Sequence, residues 1–226
     1  MSFLTRYRDD QSRPTLRDAG RDVLVRAVLP ILGLLALGLV AGWIVMQPLG
    51  GWKSESSFNA WLQTGRTPLL DEVAMVASTM GAVIGNLVLC LVLVIGLWLV
   101  TRQWWVSIVP AIALSLEAIV HAVTSAVINR ERPEVEQIDA AQPTASFPSG
   151  HMGATTAQLL VLVLASCAGI ENRVLRTVVI VAATGFLGLL AWSRLYLGMH
   201  HLSDVIVGAV NGVACGLLAW GYLRRT

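Results

Sequence analysis

Polar residues that an apolar sequence normally excludes are concentrated at three places in this chain. The first is Arg-Glu-Arg-Pro at 130–133, and the second is Pro-Ser-Gly-His at 148–151. The third is 193–204, which starts with Ser-Arg and includes a histidine followed four residues later by an aspartate. Arginine, serine, histidine and aspartate are the residue types that bind an anion and transfer protons.

The cations and the small residues of these groups predict a phosphate-type anion site. Arg132 and Arg194 are permanent cations whose planar guanidinium groups match phosphate oxygens. Ser149 and Gly150 fall at a predicted helix start, where free backbone N–H groups and the helix dipole favour an anion. Glycine at 150 also lets the backbone approach a ligand closely, because no side chain stands in the way.

Two histidines and an aspartate add nucleophilic and acid–base chemistry to the anion site. His200 and Asp204 are four residues apart, so a helix would place them on one face. The carboxylate would then accept from one ring nitrogen and leave the other nitrogen free as a nucleophile. His151 remains as a general acid for the leaving oxygen.

The elements that position these residues are predicted to be membrane-spanning helices. Hydrophobic residues make up 55% of the 226 residues and charged residues only 13%, against about 25% charged in a typical soluble chain. The formal net charge of +2 is too small to indicate a nucleic-acid partner. The cysteines at 90, 167 and 215 lie in apolar runs and are predicted to be buried free thiols. The composition predicts an all-α, polytopic membrane protein.

Six apolar stretches are long enough to cross a bilayer, which takes roughly 20 residues in a helix. The second stretch is too long for one straight span, and Gly81 and Gly85 offer a place to bend. Residues 55–64 have the spacing of a short interfacial helix. The six predicted spans are 24–46, 69–100, 104–128, 151–170, 175–195 and 201–223.

The arginines predict the orientation of these spans. Eleven basic residues fall on the side of the two chain termini and five on the other side. The positive-inside rule therefore places both termini in the cytoplasm and the three polar groups at the extracytoplasmic surface. On this interpretation 1–23 is a cytoplasmic segment, and 24–226 is one six-helix domain of a multi-pass membrane protein.

The three polar groups resemble the pattern of the type 2 phosphatidic acid phosphatase superfamily, which includes bacterial polyprenyl diphosphate phosphatases. The family pattern is a lysine, then Arg-Pro after six residues, then Pro-Ser-Gly-His, then Ser-Arg-x5-His-x3-Asp. The second and third elements are complete at 148–151 and 193–204. In the first element Arg132 and Pro133 are present, but Ser125 stands where the family has lysine.

The resemblance implies a phosphatase of the bacterial plasma membrane that needs no metal and no cofactor. It implies that His200 attacks phosphorus to form a phosphohistidine, that Asp204 orients His200, and that His151 protonates the leaving group. Ser125 and Arg130 are weaker candidates for the place of the lysine. The phosphate ligands implied by the resemblance are Arg132, Ser149, Gly150 and Arg194.

Several other polar residues and glycines need an interpretation. Glu117 and His121, four apart inside the third predicted span, are expected either to line the wall below the phosphate pocket or to pair with each other or a neighbouring helix. His201 is predicted to be an interfacial or capping residue. The glycines at 208, 212 and 216 predict close helix packing. Five charged residues are predicted to be solvated loop charges: Lys53, Glu55, Arg66, Asp71 and Glu72.

The sequence leaves several functions open. The expected activity is hydrolysis of a lipid-linked phosphate or diphosphate in the bilayer, with undecaprenyl or another polyprenyl diphosphate as the first expectation. Phosphatidic acid or phosphatidylglycerophosphate is the alternative substrate. A non-catalytic lipid-binding protein with a degenerate first motif is an alternative of another class. A six-span transporter ranks lower, because the polar residues collect at one surface and not at the midplane. The oligomeric state stays open.

Overall fold

The computed structural model describes residues 15–47, 53–139 and 145–222, and the regular structure within these ranges is entirely helical. A π-helical turn, Leu24–Val28, joins the first two helices into one continuous rod. In chain order the helices are α1 (Leu16–Val23), α2 (Leu29–Met46), α3 (Lys53–Gln63), α4 (Pro68–Gly81), α5 (Val83–Thr101), α6 (Trp104–Ser107), α7 (Val109–Ile128), α8 (Gly150–Gly169), α9 (Arg173–Tyr196) and α10 (Leu202–Gly221).

Six helical segments in the described residues are long and apolar enough to cross a membrane, which confirms the predicted fold class. The first of them starts at Leu16, so part of the predicted separate segment 1–23 continues directly into the first span. The six segments are Leu16–Met46, Val83–Thr101, Trp104–Ile128, Gly150–Gly169, Arg173–Tyr196 and Leu202–Gly221.

The predicted bend in the second apolar stretch is confirmed as a break between α4 and α5. Ala82 has an extended ψ of 172° and ends α4. The side chain of Asn86 donates to the carbonyl oxygen of Gly81 at 2.6 Å, so the end of α4 has a hydrogen-bond partner. A Cβ atom on Gly85 would lie 2.1 Å from the carbonyl oxygen of Met80, so only glycine fits this turn. The stretch 69–100 thus forms two helices, of which α5 alone is a candidate span.

Helix α8 lies at the centre of the bundle, where it packs against α7, α9 and α10. The predicted close packing of the α10 glycines is confirmed. A Cβ atom on Gly208 would lie 2.4 Å from the carbonyl oxygen of Ser149, and one on Gly212 would lie 2.4 Å from that of Gly153. These contacts place the start of α8 against the middle of α10. Cys167, in contrast to the prediction, is exposed near the end of α8.

A Gly212→Ala substitution is expected to destabilise the bundle by about 1–3 kcal/mol, because the new methyl group would overlap the α8 backbone and force the helices apart. The measurement is the midpoint of thermal unfolding in detergent. Gly188→Ala on α9 is the matched control, since a Cβ atom there meets nothing within 4 Å. Equal shifts in the two variants would contradict the packing argument.

Candidate active site

The three polar groups found in the sequence meet at one end of the helix bundle. Gly150 is the first residue of α8, Arg194 lies in the last turn of α9, and His200 lies in the turn that leads into α10. Asn129, with a left-handed φ of 46°, ends α7 and redirects the backbone. The segment that carries Arg130 and Arg132 follows directly after it. A cavity of about 410 Å³ is lined by Arg132, Gly150, His151, Arg194 and His200, together with Glu117, His121 and apolar side chains.

His200 precedes α10 instead of belonging to it, so the prediction that one helical face presents His200 and Asp204 is wrong. Its Nδ1 atom lies 2.7 Å from the carbonyl oxygen of Ser146 and 3.9 Å from Oδ2 of Asp204. The Nδ1–H group therefore donates to the Ser146 backbone, because a carbonyl oxygen can only accept. In this tautomer the Nε2 atom carries the lone pair that a nucleophile needs.

Backbone contacts fix the turn that carries His200. The side-chain amide of Asn59 on α3 donates to the carbonyl oxygen of Leu195 at 2.7 Å and to that of His200 at 3.0 Å. Arg132 donates to the carbonyl oxygen of Met199 at 2.7 Å. The imidazole is therefore fixed by its own side-chain bond and by the backbone on which it stands.

Asp204 is fully buried in the first turn of α10 and acts on His200 through Ser146. One carboxylate oxygen accepts from the Ser146 hydroxyl at 2.5 Å, while the carbonyl of the same serine binds His200. That oxygen also accepts from the backbone N–H of His201 at 2.8 Å. His201 is the N-cap of α10 in a reciprocal capping box, which confirms its predicted capping role.

Arg130 and Glu55 form a buried layer behind Asp204. The Arg130 guanidinium lies 2.5 Å from the second Asp204 oxygen and 2.9 Å from Glu55. Glu55 also accepts from the backbone N–H of Ser203 at 2.8 Å. The prediction that Glu55 is a solvated loop charge is wrong, because its side chain is 6% exposed and paired with an arginine 75 residues away. Arg130 and the buried Ser125 are not among the residues of the cavity wall.

The other charged residues predicted to be solvated differ in their exposure and in their ion pairs. Arg66 pairs with Asp71 at 3.0 Å and with Glu136 at 2.8 Å, and its side chain is 30% exposed. Glu72 is exposed. The side chain of Lys53 lies outside the described residues. Arg66 and Asp71 are thus surface residues that pair with each other, at some distance from the cavity wall.

The guanidinium group of Arg194 binds protein groups through one nitrogen and has two further nitrogens that can bind a ligand. The side chain is completely buried, and Nη1 donates to the Ser78 hydroxyl and to Asp139, the latter at 2.8 Å. The Nε and Nη2 atoms have no hydrogen-bond partner among the described residues. These two N–H groups form the edge of a guanidinium that binds two phosphate oxygens side by side. The Ser149 hydroxyl, at the N-cap of α8, is also buried and lacks a partner in the described part of the chain.

Burial lowers the pKa of His200 well below its ordinary range, and the Arg194 cation lowers it further, while Asp204 acts in the opposite direction. Burial also lowers the pKa of Arg132, although a guanidinium stays charged at any physiological pH. The site thus combines a neutral His200 imidazole at pH 7 with permanent cations. In the described ranges no group of three histidine, cysteine or acidic side chains is arranged to hold a metal ion.

Five residues that position the site were not found from the sequence. Each is an ordinary polar residue whose partner lies far away in the chain, so its own neighbours gave no signal. Glu55 and Asn59 are one turn apart on α3, and this polar face of a short amphipathic helix was the one available indication. The five residues are Glu55, Asn59, Ser78, Asp139 and Ser146.

Six candidate membrane spans and a cavity lined by two arginines and three histidines define the fold of the membrane lipid phosphatases. The chain belongs to the PAP2 superfamily, whose sequence pattern matches residues 104–226, just over half of its length. Comparison with curated proteins gives no match.

Two solved structures share the fold. The first is a transmembrane PAP2 type phosphatidylglycerolphosphate phosphatase from Bacillus subtilis, with a TM-score of 0.74 and 20% sequence identity, over 86% of this chain and 98% of the other. The second is LpxE from Aquifex aeolicus, with a TM-score of 0.57 and 22% identity, over 72% of this chain and 92% of the other.

Proposed function

We propose that this protein is a membrane phosphatase that hydrolyses a lipid-linked phosphate or diphosphate through a phosphohistidine on His200, without a metal or another cofactor. The observation that carries the proposal is the unused hydrogen-bonding capacity around the cavity. The Nδ1 atom of His200 is bound to Ser146, so Nε2 keeps its lone pair. Arg194 offers two unpaired N–H groups at the same cavity.

In the proposed first step, Nε2 of His200 attacks phosphorus and the bond between phosphorus and the leaving oxygen breaks. His151 gives its proton to that oxygen. Water then attacks the phosphohistidine, His151 takes a proton from the water, and phosphate leaves. Arg132, Arg194 and the start of α8 at Ser149 and Gly150 stabilise the charge that develops on the phosphoryl oxygens. Asp204 supports the imidazolium through Ser146 and so acts as a positioning residue.

The proposed substrate is a lipid whose phosphate reaches the site from within the bilayer. The proposed orientation of the protein in the membrane follows the distribution of its arginines. Residues 1–23 lie in the cytoplasm, domain 24–226 lies in the membrane, and the site lies at the extracytoplasmic surface. Polyprenyl diphosphate is the first substrate expected from the sequence. Phosphatidic acid and phosphatidylglycerophosphate form the second group, and the structural similarity to the Bacillus subtilis phosphatidylglycerolphosphate phosphatase supports the latter. His151, His200 and Asp204 are all present, which argues against a non-catalytic protein.

The test is to trap the phosphoenzyme in detergent-purified protein with EDTA present throughout. Each of the three substrates carries a radiolabelled terminal phosphate, and the reaction is quenched within one turnover. We expect label on the protein that is stable to alkali and lost in acid, as phosphoramidates are. His200→Ala should abolish both label and phosphate release, while the neighbouring control His201→Asn, which keeps a capping side chain, should retain most activity. Release that requires a divalent metal, or no release from any substrate, would overturn the proposal.

The pH dependence of phosphohistidine formation supplies a second test. Only the neutral imidazole can attack, so the single-turnover rate falls as the pH drops through the pKa of His200. Because burial and Arg194 lower that pKa, we expect the midpoint of the acid limb below about 6.5, the ordinary value for histidine. A midpoint at or above that value would contradict a buried, neutral nucleophile.

A further inference from the structure

The cavity wall carries a second polar pair that the proposed phosphoryl transfer does not use. Glu117 and His121 lie one turn apart on α7 and line the same cavity as His151 and His200. The Glu117 side chain is almost completely buried, with 2% of the residue exposed. Oε1 of Glu117 and Nδ1 of His121 are buried atoms without a hydrogen-bond partner among the described residues. Unpaired polar groups at membrane depth are costly, so they indicate a site that a ligand completes.

The start of α8 determines where this pair lies relative to the anion site. A Cβ atom on Gly150 would lie 2.9 Å from Nε2 of His121, and one on Gly153 would lie 2.1 Å from Oε1 of Glu117. His121 therefore contacts the helix start that is proposed to bind phosphate. Glu117 contacts the same helix about one turn further along. A phosphate bound at the start of α8, as proposed, would therefore lie beside this pair in the same cavity.

The hydrogen-bonding capacity of the pair defines the chemistry of its ligand. The unpaired Nδ1 atom of His121 accepts a hydrogen bond in one neutral tautomer of the imidazole and donates one in the other. The unpaired carboxyl oxygen of Glu117 accepts. An O–H or N–H donor of a ligand can therefore pair with Glu117 in either tautomer of His121.

We propose that Glu117 and His121 form a subsite for an O–H or N–H donor in the alcohol part of a lipid phosphate. This inference rests on the proposed function and narrows its substrate class to phosphorylated polyols or amino sugars that carry a lipid. Polyprenyl diphosphates and phosphatidic acid have no such donor outside their phosphate groups. They would leave these two buried atoms unpaired, and an unsatisfied buried group costs about 1–3 kcal/mol. The subsite thus reverses the substrate order expected from the sequence.

The experiment compares two matched substrates. The first is phosphatidylglycerophosphate. The second is its analogue in which hydrogen replaces the free hydroxyl group of the headgroup glycerol, on the carbon next to the one that carries the terminal phosphate. For the wild-type protein we expect kcat/KM to fall at least about tenfold on loss of the hydroxyl. Glu117→Leu and His121→Phe should bring this ratio close to one, because the new apolar side chains cannot bind the hydroxyl group. Leu114→Val, which alters an apolar residue of the same wall, is the control and should keep the wild-type ratio.

Equal turnover of the two substrates by the wild-type protein would overturn the subsite, and this result needs no variant. Uniform loss on all substrates in the Glu117 and His121 variants would also overturn it, since that pattern indicates a structural or proton-transfer role. If the wild-type protein releases phosphate from no substrate, the proposed function has failed. The shift in unfolding temperature on binding each member of the pair then decides on the subsite separately, because at equal concentration the ligand that binds the folded state more tightly stabilises it more.

Discussion

An Arg194→Lys enzyme is expected to lose about 10²–10³-fold in kcat/KM, although it keeps the positive charge. Arg194 donates from Nη1 to Ser78 and Asp139 and leaves Nε and Nη2 for the ligand. A lysine ammonium is a single point of charge and cannot bind the two protein acceptors and a pair of phosphate oxygens at once. The expected loss is that of removing one donor that stabilises transition-state charge. Steady-state phosphate release from the preferred substrate measures it.

Two kinds of control separate geometry from charge in this experiment. Arg173→Lys, at the exposed opposite end of α9, should leave kcat/KM unchanged. Asp139→Asn and Ser78→Ala remove the groups that orient Nη1 and should lower kcat/KM by about tenfold, because a neutral or absent partner fixes the guanidinium less firmly. If lysine at 194 supported near wild-type turnover, the paired phosphate contact of Arg194 would be excluded.

An Arg130→Ala protein is expected to lose about 3–5 kcal/mol in its free energy of unfolding, the usual cost of removing one partner from a buried ion pair. The Arg130 side chain is 3% exposed and lies between two carboxylates, Glu55 and Asp204, that are themselves buried. Without the guanidinium these two groups would repel each other in an environment that screens charge poorly. Reversible unfolding in mixed micelles measures the change, and phosphate release should fall with it because Asp204 shifts.

Arg66→Ala is the matched control for Arg130→Ala. Arg66 also bridges two carboxylates, Asp71 and Glu136, but its side chain is 30% exposed. Solvent screens such a pair, so stability should change little. A small loss of unfolding free energy in both arginine variants would contradict a positioning role for the layer behind Asp204. Glu55→Gln should lose an amount of unfolding free energy between those of the two arginine variants.

The helical architecture and the members of the site were predictable because both depend on local signals. A helix must satisfy its own backbone in lipid, so each span appears as one apolar stretch. Gly81 and Gly85 marked the break between α4 and α5, and the motif residues came together because their helices start or end at the same side of the bundle. His151 and Arg194 therefore needed no long-range information.

The arrangement behind the site was not predictable, because it depends on pairs that meet only in three dimensions. Glu55 has the sequence environment of a loop charge, and its burial is explained by two partners far away in the chain, Arg130 and Ser203. The spacing of His200 and Asp204 suggested a shared helical face, but the helix starts at Leu202, so the connection runs through the Ser146 backbone and hydroxyl. Ser146 is a serine in a loop and carries no sequence signal of this role.

The interactions of α3 and α4 with the site limit how this protein can be divided. The family pattern covers 104–226 and includes the residues proposed to carry out the chemistry. Glu55, Asn59 and Ser78, which bind Arg130, the His200 backbone and Arg194, all precede it. A chimera joined at 104 would transplant the proposed nucleophile and the arginines near it without the groups that orient them. Exchange of catalytic halves between relatives should therefore succeed only when the junction lies before Lys53, so that α3 and α4 travel with the site.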